Sequence, residues 1–265
     1  MGGEFALAHI SFINLNEPKC PKNIRLNRLN NKLSTSSLTV WFLQLVARCW
    51  LNRGYRCILV IVVQLLLATH NPGKLREYLA LLSALRVQLT SLAEQTVSCE
   101  PAETGASFEE NARLKARAFA ELSGLPTLAD DSGLEIDALG GAPGVHSARY
   151  GNTGRGQDAQ RIQLVLNQLK GVPWEKRTAR FRCVVALAVP GQSTHTAHGA
   201  LEGIIAFQPQ GEYGFGYDPI FYLPAFQCTL AQLPPEIKNR ISHRAAALEA
   251  ALPIIQAVLS NLQKA

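Results

Sequence analysis

Residues 57–68, CILVIVVQLLLA, form an apolar run broken only by Gln64 and rich in β-branched side chains. The run is too short to span a bilayer and too evenly apolar for a strand with one wet face. It reads as a strand buried on both sides, as in parallel sheets. Thr69-His70-Asn71-Pro72-Gly73-Lys74 follows, and then Leu75, Tyr78, Leu79 and Leu82 recur at i, i+3, i+4 and i+7, one face of a helix. Asn71 is a good N-cap and Pro72 a good first helical residue. A buried strand ending in a capped helix start with Gly and Lys is a candidate anion site, because free N–H groups and the positive dipole end point outward there. It is not a Walker loop, since the first Gly would fall at Ala68 and the closing Ser or Thr at Leu75. An ordinary capped helix carries the same signals.

Further along, a Pro/Gly loop holds Glu100 and Glu103, and Ser107-Phe108-Glu109-Glu110 reads as a capping box opening a helix that runs to about Ser123, with Gly124 as its stop. Asn111 and Lys115 share a face of that helix, where Lys115 can reach a phosphate, although such a pair is usually solvated surface. Ile162, Val165, Leu166 and Leu169 mark another amphipathic helix. From Arg180 to Val189 the chain alternates, with Phe181, Cys183, Val185, Leu187 and Val189 on one face, the pattern of a strand with one buried side. Pro190-Gly191 turns it into a partner strand over about 194–201. Strand–helix alternation early and antiparallel pairing later point to an α/β domain with a mixed sheet.

Two stretches stand out chemically. In Thr127–Tyr150 a short apolar run delivers adjacent acids, Asp130 and Asp131, into what reads as a Ser132-Gly133 turn, with a second Gly/Pro turn at 140–144. Neighbouring carboxylates repel unless a cation or proton lies between them, and such a hard oxygen site suits Mg²⁺. An isolated Asp-Asp-Ser-Gly is more often a solvated turn. The second stretch, 211–219, places aromatics between glycines, a stacking surface for a base or else a packed hairpin turn. Near the C-terminus Lys238, Ser242, His243 and Arg244 precede an Ala/Leu-rich helix that Ser242 can cap and Pro253 is expected to kink. Positive charge in its first turn opposes the dipole, which favours a ligand-binding role.

Composition removes one reading. The net charge of +6 suggests a nucleic-acid binder, but residues 1–62 hold eight Lys/Arg and two Asp/Glu, leaving eighteen of each for residues 63–265. The basic bias belongs to the leader, and the polyelectrolyte argument loses its support. Residues 1–62 show no sustained period and are expected to lie outside the fold; residues 63–265 read as one domain. Six cysteines without a C-x-x-C spacing, and no signal-peptide pattern, fit a reducing, cytoplasmic setting.

Five blocks in order, THNPGK at 69–74, ETG with FEENA and LKA at 103–116, ADDSGLEIDALGGAPGVHSARY at 129–150, FGYDPIF at 215–221 and K-x-x-x-x-HR at 238–244, resemble the inosine triphosphate pyrophosphatase family. The resemblance implies an elongated mixed sheet flanked by helices, a homodimer, and Mg²⁺-dependent hydrolysis of ITP, dITP or XTP to the monophosphate and pyrophosphate, with neither nucleic acid nor membrane as partner. Carried over by position, Thr69, His70, Asn71, Pro72, Gly73 and Lys74 would hold the phosphates. Asp131 would be general base and metal ligand, with Glu103 as a second metal ligand and Asp130 as a supporting carboxylate nearby. Ser132 would contact substrate, while Phe215, Gly216, Tyr217, Asp218, Lys238, His243 and Arg244 would form the nucleoside side. His70 and His146 stand where the family more usually has a small residue and Tyr, and the leader has no counterpart. Two other readings share parts of this pattern: a pyrophosphatase acting on modified pyrimidine triphosphates, and a nucleotide-sensing module without turnover.

Overall fold

The computed structural model describes residues 63–85, 87–97, 101–154 and 156–264. The leader at 1–62, the first half of the 57–68 run and Glu100 lie outside the described residues. The strands are β1 (Gln64–Leu67), β2 (Gln88–Ser91), β3 (Thr127–Ile136), β4 (Thr178–Ala188), β5 (His195–Ile205), β6 (Phe221–Leu223) and β7 (Cys228–Thr229). The helices are α1 (Pro72–Leu81), α2 (Phe108–Ser123), α3 (Asp158–Gln168), α4 (Pro235–Ile241) and α5 (His243–Lys264), so the protein is a mixed α/β fold.

The seven strands form one sheet in the order β2-β1-β3-β4-β5-β6-β7. β1 pairs in parallel with both β2 and β3, and the remaining neighbours are antiparallel. All four residues of β1 are buried, as its uniform apolarity requires. Leu65 and Leu67 pack on one side with Tyr78 of α1, Leu82 just beyond its end, and Ala247, Leu248, Ala251 and Ile255 of α5. Leu66 packs on the other with Phe108, Ala112, Ala116 and Phe119 of α2. α1 and α2 therefore cover opposite faces, and the strand order reverses between β1 and β3. In open α/β sheets ligands bind in the crevice beyond the strand ends at such a reversal.

Several expectations need correction. Leu79 is 44% exposed, and the buried α1 residue next to Tyr78 is Glu77. β4 is buried on both sides from Cys183 onward, because α2 covers Val184, Ala186 and Ala188 on its second face. Ser132-Gly133 is not a turn: β3 continues through both, in register with Cys183 and Arg182. Gly133 serves close approach, since a Cβ there would lie 2.5 Å from Gly144 O and from Ser147 Oγ. The turn at Gly140–Gly144 is present, with Gly140, Gly141 and Gly144 all at positive φ.

α2 begins as the sequence suggests, Ser107 Oγ accepting from Glu110 N at 3.2 Å, and ends at Gly124 in the left-handed region. Glu110 completes the turn by accepting from Ala106 N rather than from the cap residue. α5 runs through Pro253 without ending. Its stretch His243–Leu262 has the length and hydropathy of a membrane span, and its inner face lies on β4 and β5 as part of the core.

Candidate active site

β1 last pairs with β3 at Leu67↔Leu128, while β3 runs on to Ile136. The β1-side edge of β3 is thus open from Ala129 until the 3₁₀ segment at Gly144–Asn152 meets it, where Leu134 N donates to Ser147 Oγ at 2.8 Å. Thr69–Lys74 lies at one end of this opening. Asn71 caps α1, its Oδ1 accepting from Gly73 N at 2.8 Å and Lys74 N at 3.1 Å. The first-turn donors expected to be free for an anion are therefore satisfied by the cap, leaving the helix dipole and the Lys74 ammonium as the attractive elements.

Strand alternation sends the adjacent acids to opposite faces. This corrects the view that one cation lies between them. Asp130 shares a face with α1 and α5, and its Oδ2 accepts from Lys74 Nζ at 2.8 Å with Arg244 Nε at 3.7 Å. Asp131 faces α2, where it takes Lys115 Nζ at 3.0 Å and Asn111 Nδ2 at 3.2 Å. Asn111 is fully buried and Lys115 nearly so, rather than forming solvated surface. Glu103 accepts from Lys115 Nζ at 2.9 Å and from Arg149 Nη1 at 2.9 Å.

The two acids titrate in opposite directions. Burial pushes the Asp131 carboxyl above the usual carboxylate range, and Lys115 and Lys74 only partly offset it. Burial pushes Asp130 upward too, but Lys74, Arg244 and Lys115 outweigh it and hold that carboxyl well below the usual range. Asp130 is thus a charged anchor for Lys74, on the face of β3 opposite the one on which Asp131 meets Lys115 and Glu103.

The third wall comes from the 215–218 loop, α4 and the start of α5. Glu77 of α1 accepts from Lys238 Nζ at 2.9 Å and pairs with Arg244 Nη1. Lys238 also pairs with Asp218, whose carboxylate accepts from Phe215 N at 2.9 Å, and Arg244 Nη2 donates to Ser132 Oγ at 3.1 Å. Burial raises the Glu77 carboxyl, yet Arg244 and Lys238 together bring it below its ordinary value. Lys238 Nζ lies 4.6 Å and Arg244 Cζ 5.5 Å from the Phe215 ring centroid. That ring lies against Gly73, where a Cβ would come within 2.5 Å of Phe215 Cδ1. The phosphate-side helix start and the base-side loop are therefore in contact.

The structure brings Lys74, Asp131, Ser132, Phe215, Asp218, Lys238, His243 and Arg244 together, with Glu103 on the rim. Thr69 Oγ1 accepts from Asn71 N at 3.2 Å, and exposed His70 meets the Phe119 ring edge-on at 6.1 Å. Pro72 occupies the first helical position, and Gly216 N donates to Asp158 Oδ2 at 2.8 Å.

Two residues depart from the expected nucleoside surface. Tyr217 is a core residue whose hydroxyl donates to Ser147 O at 3.0 Å, so it is not a stacking platform. His243 is buried with its ring stacked on Phe181 at 4.7 Å, and burial, reinforced by Arg244 and Lys238, lowers its imidazole well below its ordinary value. It is neutral, so no charge there opposes the α5 dipole, and Arg244 is balanced by Glu77.

Of the five buried side-chain polar atoms without a hydrogen-bond partner among the described residues, three line this face: Asp130 Oδ1, His243 Nδ1 and Arg244 Nε. Such clustering is what a polar ligand resolves. Sequence reasoning had missed Glu77 and Arg149. A carboxylate three residues after Lys74, on the apolar side of its helix, was the available signal for Glu77.

A model of the Ham1 family matches residues 65–254. The chain is 48% identical over 199 residues to the dITP/XTP pyrophosphatase of Bacillus subtilis, covering 75% of this chain and all of that protein. It is 51% identical over 185 residues to the dITP/XTP pyrophosphatase of Geobacillus kaustophilus, covering 70% of this chain and 90% of that one. Among solved structures, a HAM1 protein from Coxiella burnetii superposes with a TM-score of 0.67 at 45% identity, over 74% of this chain and all of that one. The Ham1 protein of Staphylococcus aureus superposes with a TM-score of 0.65 at 38% identity, over 75% of this chain and 98% of that one. With a family model across most of its length and relatives this similar along nearly their whole chains, the protein belongs to the Ham1 family.

Proposed function

We propose that the protein hydrolyses non-standard purine nucleoside triphosphates, ITP, dITP and XTP, to the monophosphate and pyrophosphate. The observation that carries this reading is the crevice itself. Lys74 at a helix start and the Asp131–Lys115–Glu103 cluster face each other beside a wall of Phe215, Lys238 and Arg244. The activity for which the relatives are named, dITP/XTP pyrophosphatase, agrees with it.

The chemistry needs a proton acceptor, positive charge on the phosphates and a discriminating base pocket. Asp131 orients the attacking water and takes its proton, and its raised carboxyl suits that task better than that of Asp130. Lys74 and Lys115 neutralise the phosphate chain from either side. The donor set also fits a hard divalent cation, because Asp131 and Glu103 both reach a single positive centre, the Lys115 ammonium, at 3.0 and 2.9 Å. Asp131 and Glu103 would hold Mg²⁺, which supplies charge stabilisation for the phosphate oxygens.

On the base side, donors such as Arg244 and Lys238 suit the 6-oxo acceptor of hypoxanthine or xanthine and oppose the 6-amino donor of adenine. A charge-assisted bond of about 1.5–3 kcal/mol corresponds to roughly ten- to over a hundredfold discrimination. The neutral His243 can contribute only an uncharged bond.

Pyrophosphate release from ITP, XTP, GTP, dUTP and methylated pyrimidine triphosphates tests the reading, with Mg²⁺ and again after chelation. ITP and XTP should be turned over faster than the others, and only with the metal. Faster turnover of the pyrimidines, or tight ITP binding without release, would replace this reading with one of its two alternatives. The homodimer belongs to the same proposal, and sedimentation velocity reads it.

A further inference from the structure

One cation of the crevice lies outside the buried clusters. Arg149 Nη1 donates to Glu103 Oε2 at 2.9 Å, and its side chain is 43% exposed. Among the described residues the remaining guanidinium donors have no protein partner, so most of its five N–H groups are left to water or a ligand. An exposed ion pair of this kind contributes little to stability.

The main chain beneath it is nevertheless fixed with care. Two residues earlier, Ser147 Oγ accepts from Leu134 N at 2.8 Å and donates to Gly144 O at 2.7 Å, while Ser147 O accepts from the buried Tyr217 hydroxyl at 3.0 Å. The 3₁₀ turn breaks at Arg149, with φ −131° and ψ 18°, and Gly151 follows at φ 70°. Gly151 sits in the left-handed region that favours glycine, and a Cβ there would meet Leu164 Cδ2, the end of a side chain on α3, at 2.3 Å. The segment is tied at once to the acid strand β3, to the base-side loop and to α3, and it holds Arg149 over the crevice mouth.

The charged groups form a row, Asp131–Lys115–Glu103–Arg149, joined by contacts of 3.0, 2.9 and 2.9 Å. Side-chain exposure rises outward along it, from 9% at Asp131 through 13% and 29% to 43% at Arg149. If attack occurs beside Asp131, the leaving phosphates extend along this row toward solvent, past Lys115 and up to the guanidinium. A planar fork with unused donors is the group suited to bidentate phosphate binding.

We propose that Arg149 binds the distal phosphates of the substrate, so that the site favours a triphosphate over its monophosphate product. The direction of the row rests on the pyrophosphatase reading. Calorimetric titration with inorganic tripolyphosphate and with IMP in magnesium buffer tests the inference on the full chain, using the parent, Arg149→Gln and Arg149→Lys. Gln keeps a donor for Glu103 while removing the charge.

The expected result is a ten- to hundredfold weaker tripolyphosphate affinity for Arg149→Gln, with roughly twofold or smaller change for IMP and partial recovery in Arg149→Lys. In ITP hydrolysis kcat/KM should fall by a similar factor. Tripolyphosphate affinity within about twofold of the parent, equal weakening of IMP, or no tripolyphosphate binding by the parent would each overturn the inference. A parent that binds tripolyphosphate through Arg149 yet leaves ITP intact would instead refute the activity and leave the distal-phosphate site standing.

Discussion

Glu77→Gln tests whether the base-side cations are set by the buried acid between them. Glu77 is 8% exposed and holds Lys238 at 2.9 Å while pairing with Arg244. The cluster around it contains three cations, Lys74, Lys238 and Arg244, and three carboxylates, Glu77, Asp130 and Asp218. The amide leaves one excess positive charge away from water and can accept from only one of its two partners. Breaking a buried pair in this way costs about 3–5 kcal/mol, a large part of the roughly 5–15 kcal/mol typical of a domain. For a fold of this size that corresponds to a midpoint lower by roughly 6–20 °C. Calorimetric melting measures the loss, and KM for ITP should rise as Arg244 and Lys238 lose their common acceptor. Adding Lys238→Met to Glu77→Gln rebalances the charge, so the double variant should lose less than the sum of the single losses. A Glu77→Gln midpoint within about 2 °C of the parent, or strict additivity in the cycle, would refute the reasoning.

Asp131→Asn should retain the fold by circular dichroism and lose about 10²–10⁴ in turnover, whereas Asp130→Asn should release Lys74 and raise KM more than it lowers kcat. The reverse pattern in steady-state assays would exchange their roles. The buried Cys183 thiol, pushed up to about 12 by burial and then by Asp130, should resist iodoacetamide at pH 8 in the native protein and label only on unfolding, as peptide mapping would show. His243 is held below its unfolded value, so the unfolded chain binds the extra proton and stability should fall as pH drops below about 6.5, by up to about 1.4 kcal/mol per pH unit. His243→Phe, which keeps the stack on Phe181, should flatten that dependence in urea titrations at pH 5.5 and 7.5.

Elements whose signals are local were legible in the sequence. The Asn71 cap, the Pro72 start, the α2 boundaries and the β4–β5 hairpin each follow from a few neighbouring residues, and the structure has them where that chemistry puts them. What was not legible depends on what packs across the sheet. Ser132-Gly133 resembles a turn until Gly144 and Ser147 approach from the edge and demand a residue without a Cβ. β4 shows the alternation of a half-wet strand although α2 covers its small residues Ala186 and Ala188. Tyr217 lies among loop glycines but inserts into the core to reach Ser147 O. Glu77 looks like an ordinary helix-surface acid because its two partners come from more than 150 residues away in the chain.

The acid pair gains its meaning from the sheet. Neighbours in a strand point to opposite faces, so two identical side chains one bond apart in sequence enter different electrostatic environments. On the α1/α5 face Asp130 meets two cations that are themselves shielded from water, which fixes its charge and makes it a stay for Lys74. On the α2 face Asp131 meets one ammonium that Glu103 already shares, and burial wins. A turn at Ser132-Gly133 would have let both acids compete for the same partners. A continuous strand along an open edge instead assigns one acid to hold the phosphate-binding lysine and leaves the other, beside it, free to take a proton.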